Sequence, residues 1–318
     1  MGKVFITDYI KNPDIEKSIL GKIAKNKQDP EIEILLVWHK KIDSEYLDNF
    51  PNVKLLIRYG VGCDNIDFHE IKKRGIMLCN TPDYGVDEVS DTSLAMLMNI
   101  TRKLTHYDAI SKKISDGSWQ ENIFKDIRRN SEIEVGIIGA GRIGSLFALK
   151  AKSVGFKVSI YDPYDNRGNE KILNVSRYDN LDELLKKSDV VSTNCILTDE
   201  TKGMVNKKFI KKMKKGSSLI NTARGAIIDN LDDFIEPIKS NMISNISLDV
   251  LPDEPPKKSI LVDEWRKNKE WTIGKIIINP HSGYYSLQSY TEMRESASKN
   301  ALRFLHKLRP YNILVDDS

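Results

Sequence analysis

The chain has 318 residues, 40% of them hydrophobic and 30% charged, a balance typical of a folded globular protein and not of a disordered one. Lysine and arginine total 49 and aspartate and glutamate 45, so the formal net charge is +4, too small for a nucleic-acid-binding protein unless the basic residues cluster on one face. No apolar run approaches the roughly 18–20 residues of a membrane span. At roughly 100–200 residues per domain, we expect two domains, with no nucleic-acid or membrane partner.

The chain contains three cysteines: Cys63, Cys79 and Cys195. An odd, sparse set excludes a disulfide-stapled fold, and no Cys-x-x-Cys or His-x-x-x-His spacing predicts a metal site. The first residues run directly into a strand-like segment and lack the features of a secretory signal. We therefore expect a cytoplasmic protein with reduced thiols and no metal.

Strand-like and helical segments alternate from the N-terminus. Charged helical stretches cover 15–26 and 44–50, and a long amphipathic helix is predicted over about 86–103. The strands between them are predicted from short apolar runs at 4–7, 32–38, 53–57 and 76–79. Strands that alternate with helices indicate a parallel sheet covered by helices.

A second series of strands follows a polar stretch around 116–131, which we interpret as a domain crossing. A closing helix is predicted over about 286–307. The strands of this series are predicted at 135–138, 157–161, 190–194, 218–221, 246–249 and 276–279. This pattern indicates a second α/β unit of the doubly wound kind.

A glycine-rich loop lies between the first strand of the second series and the helix that follows it. Gly139, Gly141 and Gly144 form the pattern G-x-G-x-x-G. The first glycine allows a tight turn, the second lets the backbone approach a pyrophosphate, and the third lets helix and strand pack closely. Since the helix N-terminus supplies free N–H groups for phosphates, the loop predicts a dinucleotide cofactor.

The next strand ends at Asp162, 23 residues after Gly139. A carboxylate at this position accepts hydrogen bonds from the ribose hydroxyls of the cofactor and repels a 2′-phosphate. The sequence therefore favours NAD over NADP.

Three polar residues follow later strands of the second series: Arg224, Glu254 and His281. Ligands of open α/β sheets bind beyond the carboxyl ends of the strands, so we expect these side chains to converge there. An arginine can bind a carboxylate with two parallel hydrogen bonds. A histidine can exchange a proton near neutral pH, and a carboxylate beside it favours its protonated form. These residue types suit hydride transfer at a hydroxy or keto group.

Several motifs in this order resemble the D-isomer-specific 2-hydroxyacid dehydrogenase family over nearly the whole chain. They are 58–67 (RYGVGCDNID), the glycine loop with Asp162, 220–225 (INTARG), 248–250 (LDV) with Glu254, and Pro280–His281. The resemblance implies two Rossmann-like, doubly wound parallel-sheet domains. A flavodoxin-like substrate domain comprises residues 1–100 plus 285–318, and an NAD-binding domain comprises the inserted residues 101–284.

The resemblance also implies the site residues. His281 is the acid/base, Glu254 its partner, and Arg224 binds the substrate carboxylate and carbonyl. NAD is the cofactor, and the positions that match its binding residues are Thr81, Gly139, Gly141, Arg142, Ile143, Gly144, Asp162, Cys195, Thr222, Ala223, Asp249 and Gly283. The substrate-side positions are Arg58, Val61, Gly62 and Tyr284.

Two segments are similar to the branch of phosphoglycerate dehydrogenase-like enzymes and C-terminal-binding-protein corepressors: 83–92 and 281–286. Tyr284 lies where the corepressors have tryptophan, and an aromatic side chain there favours apolar or extended substrates. Asn194 and Ile196 depart from the histidine and proline usual in a loop that borders the cofactor.

The resemblance implies an NAD-dependent oxidoreductase that interconverts a D-2-hydroxy acid and its 2-keto acid. Two alternatives remain: an NAD(H)-sensing, corepressor-like binding protein with little turnover, and a formate- or phosphite-type dehydrogenase of the same family. Family members are commonly homodimers that associate through the NAD domain and the segment around 86–130. Trp119 and Phe124 are candidates there for buried contacts, with ordinary core packing as the alternative.

Overall fold

The computed structural model describes residues 3–8, 10–25, 27–114, 119–120 and 123–316. The chain forms two compact units: residues Met1–Gly85 with Tyr285–Ser318, and residues Val86–Tyr284. This division differs from the predicted one in residues 86–100, which belong to the second unit. The described residues of the polar stretch around 116–131, which are 119–120 and 123–131, also lie inside that unit and form no crossing between units. Residues 116–118 and 121–122 fall outside the described residues.

The first unit contains a six-stranded sheet in the order β13-β5-β4-β3-β1-β2. Its strands are β1 (Lys3–Ile6), β2 (Ala24–Lys25), β3 (Ile32–Val37), β4 (Leu55–Arg58), β5 (Met77–Cys79) and β13 (Ile313–Val315). Strands β1–β5 pair in parallel in the flavodoxin-like order 2-1-3-4-5, which confirms the predicted fold. The edge strand β13 pairs with β5 antiparallel, a pairing that the sequence analysis missed.

The helices of the first unit are α1 (Asp14–Leu20), α2 (Ser44–Leu47), α3 (Phe68–Lys73) and α12 (Leu287–Leu305). The helix predicted over 15–26 ends at Leu20, because Gly21 has a φ of +58°. A short 3-10 turn follows, and β2 begins at Ala24. Residue 26 lies outside the described residues. The core of the sheet is apolar, with Ile34, Leu35 and Leu56 fully buried.

One buried ion pair joins the first and last helices of this unit. Glu16 in α1 has no solvent exposure, and its two carboxylate oxygens accept hydrogen bonds from Nε and Nη2 of Arg294 in α12, at 2.9 and 2.5 Å. The hydroxyl of the buried Tyr59, which directly follows β4, donates to the same carboxylate at 3.0 Å. The two ends of the chain are thus held together inside one core.

The second unit contains a seven-stranded parallel sheet in the order β12-β11-β10-β9-β6-β7-β8. Its strands are β6 (Glu134–Ile138), β7 (Lys157–Tyr161), β8 (Ser176–Arg177), β9 (Val190–Thr193), β10 (Ser217–Asn221), β11 (Ile243–Leu248) and β12 (Ile276–Ile278). Counted within the unit, this is the Rossmann order 3-2-1-4-5-6 with one further strand, as predicted. The strand order reverses between β6 and β9, which is where such sheets bind ligands.

The helices of the second unit are α4 (Val86–Arg102), α5 (Leu104–Ser111), α6 (Arg142–Ser153), α7 (Asn169–Leu173), α8 (Leu181–Lys187), α9 (Lys207–Lys212), α10 (Ile235–Lys239) and α11 (Ile260–Arg266). Met96, Leu97 and Ile100 of α4 share a buried apolar cluster with Val135 of β6 and Phe147 of α6. This packing places α4 in the second unit. Within the described residues, no helix has the length and apolar character needed to cross a bilayer.

Candidate active site

Three predicted site residues of the second unit lie beyond the carboxyl ends of neighbouring strands. Arg224 follows β10, Glu254 follows β11 and His281 follows β12. His281 Nδ1 lies 2.7 Å from Glu254 Oε2, and the side chains of both residues are partly exposed. Because an ionised carboxylate only accepts hydrogen bonds, Nδ1 is the donor, and Nε2 is the ring nitrogen that can face a substrate.

The two oxygens of the Glu254 carboxylate have different partners, one in the backbone and one in a side chain. Its Oε1 accepts the Leu251 N–H at 2.8 Å, which leaves Oε2 for His281. Burial alone would raise the pKa of Glu254, but the His281 hydrogen bond and charge, the Leu251 N–H and nearby Arg224 together lower it. The carboxylate is therefore ionised at neutral pH and stabilises a protonated imidazole.

Asn221, the buried last residue of β10, holds the loop that carries Arg224. Its Nδ2 donates to the Arg224 carbonyl at 3.0 Å, and its Oδ1 accepts from the Ala223 N–H at 3.1 Å and the Thr193 hydroxyl at 2.9 Å. Sequence reasoning gave Asn221 no role, although a polar residue directly after Leu219 and Ile220, at the end of the strand, was the available signal. A Cβ at Gly225 would stand 1.9 Å from the Leu251 carbonyl oxygen, so this loop packs directly on the loop that leads to Glu254.

Asp249 holds the loop that carries His281. His281 has a φ of +54°, a left-handed conformation that costs about 1–3 kcal/mol outside glycine. The Asp249 carbonyl accepts the His281 N–H at 2.8 Å, and Asp249 Oδ1 accepts the N–H groups of Ser282 and Gly283, each at 3.0 Å. Burial raises the pKa of Asp249, and the Gly283 N–H and the charge of His281 offset only part of that effect. Binding of the cofactor by Asp249 stays a prediction.

The three glycines of the cofactor loop have different surroundings. Gly139 has a φ of +94°, and a Cβ there would lie 2.6 Å from the Cys195 nitrogen, in the loop after β9. A Cβ at Gly144 would lie 2.0 Å from the Gly139 carbonyl oxygen. At Gly141 a Cβ would meet no atom of the described residues within 4 Å. Gly139 and Gly144 thus allow close packing of the protein itself, whereas the space beside Gly141 fits a phosphate that approaches the N-terminus of α6.

Asp162 directly follows β7, on the other side of the glycine loop. Its Oδ2 accepts the Ala140 N–H and its Oδ1 accepts the Tyr164 N–H, both at 2.9 Å. These bonds fix the carboxylate beside the glycine loop, in the position that suits the ribose hydroxyls of NAD. The donor set of the loop and the carboxylate therefore fit the predicted cofactor.

The other predicted cofactor-binding residues differ in their burial and in their contacts. Arg142 and Ile143 begin α6, and Ala223 is half-buried. Thr222 is buried, and its hydroxyl shares a hydrogen bond of 2.8 Å with Ser93 of α4, a supporting residue that the sequence did not reveal. Burial raises the pKa of Cys195 to about 11, so this residue is a thiol at neutral pH.

The loop with the unusual Asn194 retains its contact with the glycine loop. The Asn194 N–H donates to the Ile138 carbonyl at 2.7 Å, and its Oδ1 accepts the Ser192 hydroxyl at 2.9 Å. Its Nδ2 is buried and makes no hydrogen bond to the described residues. The substitution thus preserves the position of the backbone and leaves one buried donor unsatisfied.

Four predicted residues lie in the first unit, at or just beyond the carboxyl ends of β4 and β5: Arg58, Val61, Gly62 and Thr81. The Thr81 hydroxyl accepts the Gly60 N–H at 2.6 Å and donates to the Arg58 carbonyl at 3.2 Å. Thr81 is almost fully buried, so its side chain shapes this turn, and a direct role in cofactor binding stays a prediction. Tyr284, in the second unit, meets the His281 ring edge-on with centroids 6.2 Å apart. In the described part of the chain, no group of three or more His, Cys, Asp or Glu side chains could hold a metal.

Residues 94–283 match the family described as "D-isomer specific 2-hydroxyacid dehydrogenase, NAD binding domain". The chain belongs to this family. The match covers more than half of the chain and spans the glycine loop, Asp162 and all three candidate catalytic residues. The predicted family, its oxidoreductase activity and NAD as the cofactor are thereby confirmed.

Relatives and a solved structure extend the match to the whole chain. The chain is 32% identical to a glyoxylate reductase of Thermococcus litoralis, over 99% of this chain and 97% of that protein. It is 30% identical to the D-3-phosphoglycerate dehydrogenase of Bacillus subtilis, over 96% of this chain but only 57% of that longer protein. The crystal structure of the D-lactate dehydrogenase of Aquifex aeolicus with NAD and lactic acid has a TM-score of 0.81 and 28% identity, with 96% of each chain covered. Each name describes the relative and leaves the acid used by this dehydrogenase to be assigned.

Proposed function

We propose that His281, Glu254 and Arg224 carry the interconversion of a small D-2-hydroxy acid and its 2-keto acid. The observation that carries this proposal is the 2.7 Å contact between His281 Nδ1 and Glu254 Oε2, beside Arg224 at the carboxyl edge of the NAD-binding sheet. When bound, NADH supplies the hydride for the carbonyl carbon, and NAD accepts it in the reverse direction.

In the reductive direction His281 gives the proton at Nε2 to the carbonyl oxygen as that oxygen becomes a hydroxyl. The ionised Glu254 stabilises the protonated imidazole before transfer, and its bond to Nδ1 keeps the ring oriented. In the oxidative direction the same nitrogen removes the hydroxyl proton. General acid–base catalysis of this kind contributes roughly 100- to 10,000-fold to the rate.

Arg224 would bind the carboxylate of the substrate and polarise its carbonyl. The loop that carries it is fixed by Asn221, so the guanidinium begins from a defined backbone position. A planar guanidinium offers parallel N–H donors that match a carboxylate, which suits a 2-keto acid better than a ketone without a carboxylate. Arg58, Val61 and Gly62 of the first unit and Tyr284 are the further residues that we assign to the substrate.

For the cofactor, we assign the pyrophosphate to the N-terminus of α6 beside Gly141, and the adenosine ribose to Asp162. The open space at Gly141 and the fixed Asp162 carboxylate support this assignment. The other predicted cofactor positions, from Thr81 to Gly283, remain assigned by resemblance.

We propose glyoxylate or a similarly small 2-keto acid as the substrate, since the glyoxylate reductase of Thermococcus litoralis matches nearly the whole chain. The test is NADH consumption with a panel of glyoxylate, pyruvate, hydroxypyruvate and 3-phosphohydroxypyruvate, together with the configuration of any chiral product. A substrate is expected within the panel, and a chiral product is expected to be the D isomer. If no acid supports turnover while NADH binds tightly, the result would favour the NAD-sensing alternative over keto-acid reduction. Oxidation of formate or phosphite alone would select the second alternative.

The role of His281 has its own test. His281→Ala should lower kcat at least about 100-fold, while the Kd for NADH stays within about twofold. His306→Ala, at the end of α12, is the matched histidine control and should retain wild-type kcat. Wild-type turnover in His281→Ala would remove the residue from the mechanism.

We also propose a cytoplasmic homodimer that associates through the segment after α4. Leu104, Trp119 and Ile123 are 58, 69 and 39% exposed, an apolar set that a partner subunit would cover. Phe124 packs within its own subunit, with its ring 4.4 Å from that of His106. Light scattering should give a dimer for the wild type and a monomer for Leu104→Lys with Trp119→Lys. Ile172→Lys, on the 82%-exposed Ile172 of α7, is the control that should remain dimeric.

A further inference from the structure

A side-chain hydrogen bond connects the two loops that flank the glycine loop. The Tyr164 hydroxyl donates to Glu200 Oε2 in a short contact. Tyr164 lies two residues after Asp162, in the loop that follows β7, and Glu200 lies in the loop that follows β9. Since β6 lies between β7 and β9 in the sheet, the bond passes across the carboxyl end of β6.

The two ends of this bond are held by local backbone contacts. The Tyr164 N–H donates to Asp162 Oδ1 at 2.9 Å, so the tyrosine begins at the carboxylate that we assign to the cofactor ribose. Glu200 lies within a turn in which the Thr201 hydroxyl accepts the Thr198 N–H at 2.8 Å and donates to the Ile196 carbonyl at 2.7 Å. The bond therefore joins two defined loops.

The stability of the fold does not explain why this hydrogen bond is present. Tyr164 is 76% exposed, and an exposed hydrogen bond contributes little to the stability of the fold. Ile196, on the loop of Glu200, is 72% exposed. With the ribose assigned to Asp162, these two large exposed side chains, one on each loop, would offer flat or apolar surface to a purine ring.

We propose that the Tyr164–Glu200 hydrogen bond is a clasp that retains the adenosine end of NAD(H) in its groove. The clasp must open for the adenosine to leave, so it slows release of the cofactor. The hydrogen bond with Glu200 raises the pKa of the Tyr164 phenol, so the hydroxyl is a donor throughout the physiological range. The proposal rests on the placement of the pyrophosphate beside Gly141 and of the ribose beside Asp162.

Stopped-flow measurement of NADH dissociation tests the clasp. Tyr164→Phe keeps the ring and removes the bond, and it should raise koff roughly 2- to 5-fold, the range expected for one exposed polar pair. Glu200→Ala should give the same increase, and the double variant should give no further increase, because both changes break one interaction. Glu200→Gln retains an acceptor and should recover part of the wild-type rate.

Asp199→Ala is the matched control, since it removes an equal charge from the same turn. Its koff should equal that of the wild type, as should the melting temperature of every variant in the series. The clasp is wrong if Tyr164→Phe releases NADH at the wild-type rate, or if the two single effects add in the double variant. In those cases the proposed function stands, provided that the wild type turns over a 2-keto acid; failure of the wild type to bind NADH would overturn both proposals.

Discussion

Substitution of Gly141 and Gly144 by alanine separates cofactor binding from stability within one loop. A Cβ at Gly144 would lie 2.0 Å from the Gly139 carbonyl oxygen, so α6 must move by more than 1 Å to restore an ordinary contact. Such overpacking costs about 3 kcal/mol. For a domain of this size that corresponds to a fall in Tm of roughly 6–12 °C.

Gly141→Ala should have the opposite profile. Gly141 has a φ of −69° and a ψ of −165°, which alanine adopts without strain. A Cβ there would meet no atom within 4 Å in the part of the chain that the structure describes. The stability change at this N-cap position should remain within about 1 kcal/mol. The added methyl group occupies the approach to the α6 N-terminus, and loss of one charge-assisted hydrogen bond to the pyrophosphate costs about 1.5–3 kcal/mol. The Kd for NADH should therefore rise roughly 10- to 150-fold.

Differential scanning fluorimetry gives the two Tm values, and fluorescence titration gives the Kd for NADH. The expected result is a stable Gly141→Ala variant that binds NADH weakly and a Gly144→Ala variant with a low Tm. If Gly141→Ala binds NADH like the wild type, the pyrophosphate does not approach this backbone and the assigned groove is wrong. An unchanged Tm for Gly144→Ala would mean that the turn at Gly139 and α6 can move apart without a loss of folding free energy.

Three further changes test other parts of the molecule. Asp162→Ala should raise the ratio of kcat/KM for NADPH to that for NADH at least about tenfold, since it removes the carboxylate that repels a 2′-phosphate; an unchanged ratio would assign the discrimination to another residue. Glu254→Gln keeps the shape of the side chain but removes the carboxylate charge 2.7 Å from His281 Nδ1, so kcat for keto-acid reduction should fall while the Kd for NADH stays unchanged; an unchanged kcat would refute the coupling. Arg294→Met leaves the Glu16 carboxylate buried and without its cationic partner, so urea titration should show a free energy of unfolding about 3–5 kcal/mol lower; a loss below 1 kcal/mol would contradict that account.

Most of the sheet of the NAD-binding unit was predictable because its longer strands contain apolar runs and are separated by clear helical or loop segments. The strand predicted over 157–161 has those bounds in the structure, and the glycine loop follows its strand as expected. The strands β2 and β8 were missed, since two residues carry no periodicity. For α4, the pattern showed an apolar face but not the sheet that this face covers, which is why the predicted boundary at 100 lies beyond the observed one at 85.

The candidate catalytic residues were predictable for a different reason. Parallel strands bring their carboxyl ends to one edge, so polar residues after β10, β11 and β12 converge even though 57 positions separate Arg224 from His281. The groups that hold these residues follow no such rule. The left-handed backbone of His281 depends on contacts with Asp249, 32 positions earlier. No local sequence pattern predicts these contacts.

The same limit applies to contacts that join distant elements. Glu16 and Arg294 are 278 positions apart. In the sequence, each looks like an ordinary charged residue on the surface of a helix. Tyr164 and Glu200 are 36 positions apart, on loops that become neighbours only because β6 pairs with both β7 and β9. Sequence motifs thus identify groups that act on a ligand where the fold brings strand ends together. The residues that fix those groups, or that close over the ligand, are identified only from side-chain contacts in the folded structure. The variants proposed for the clasp and for the buried ion pair each test one such contact.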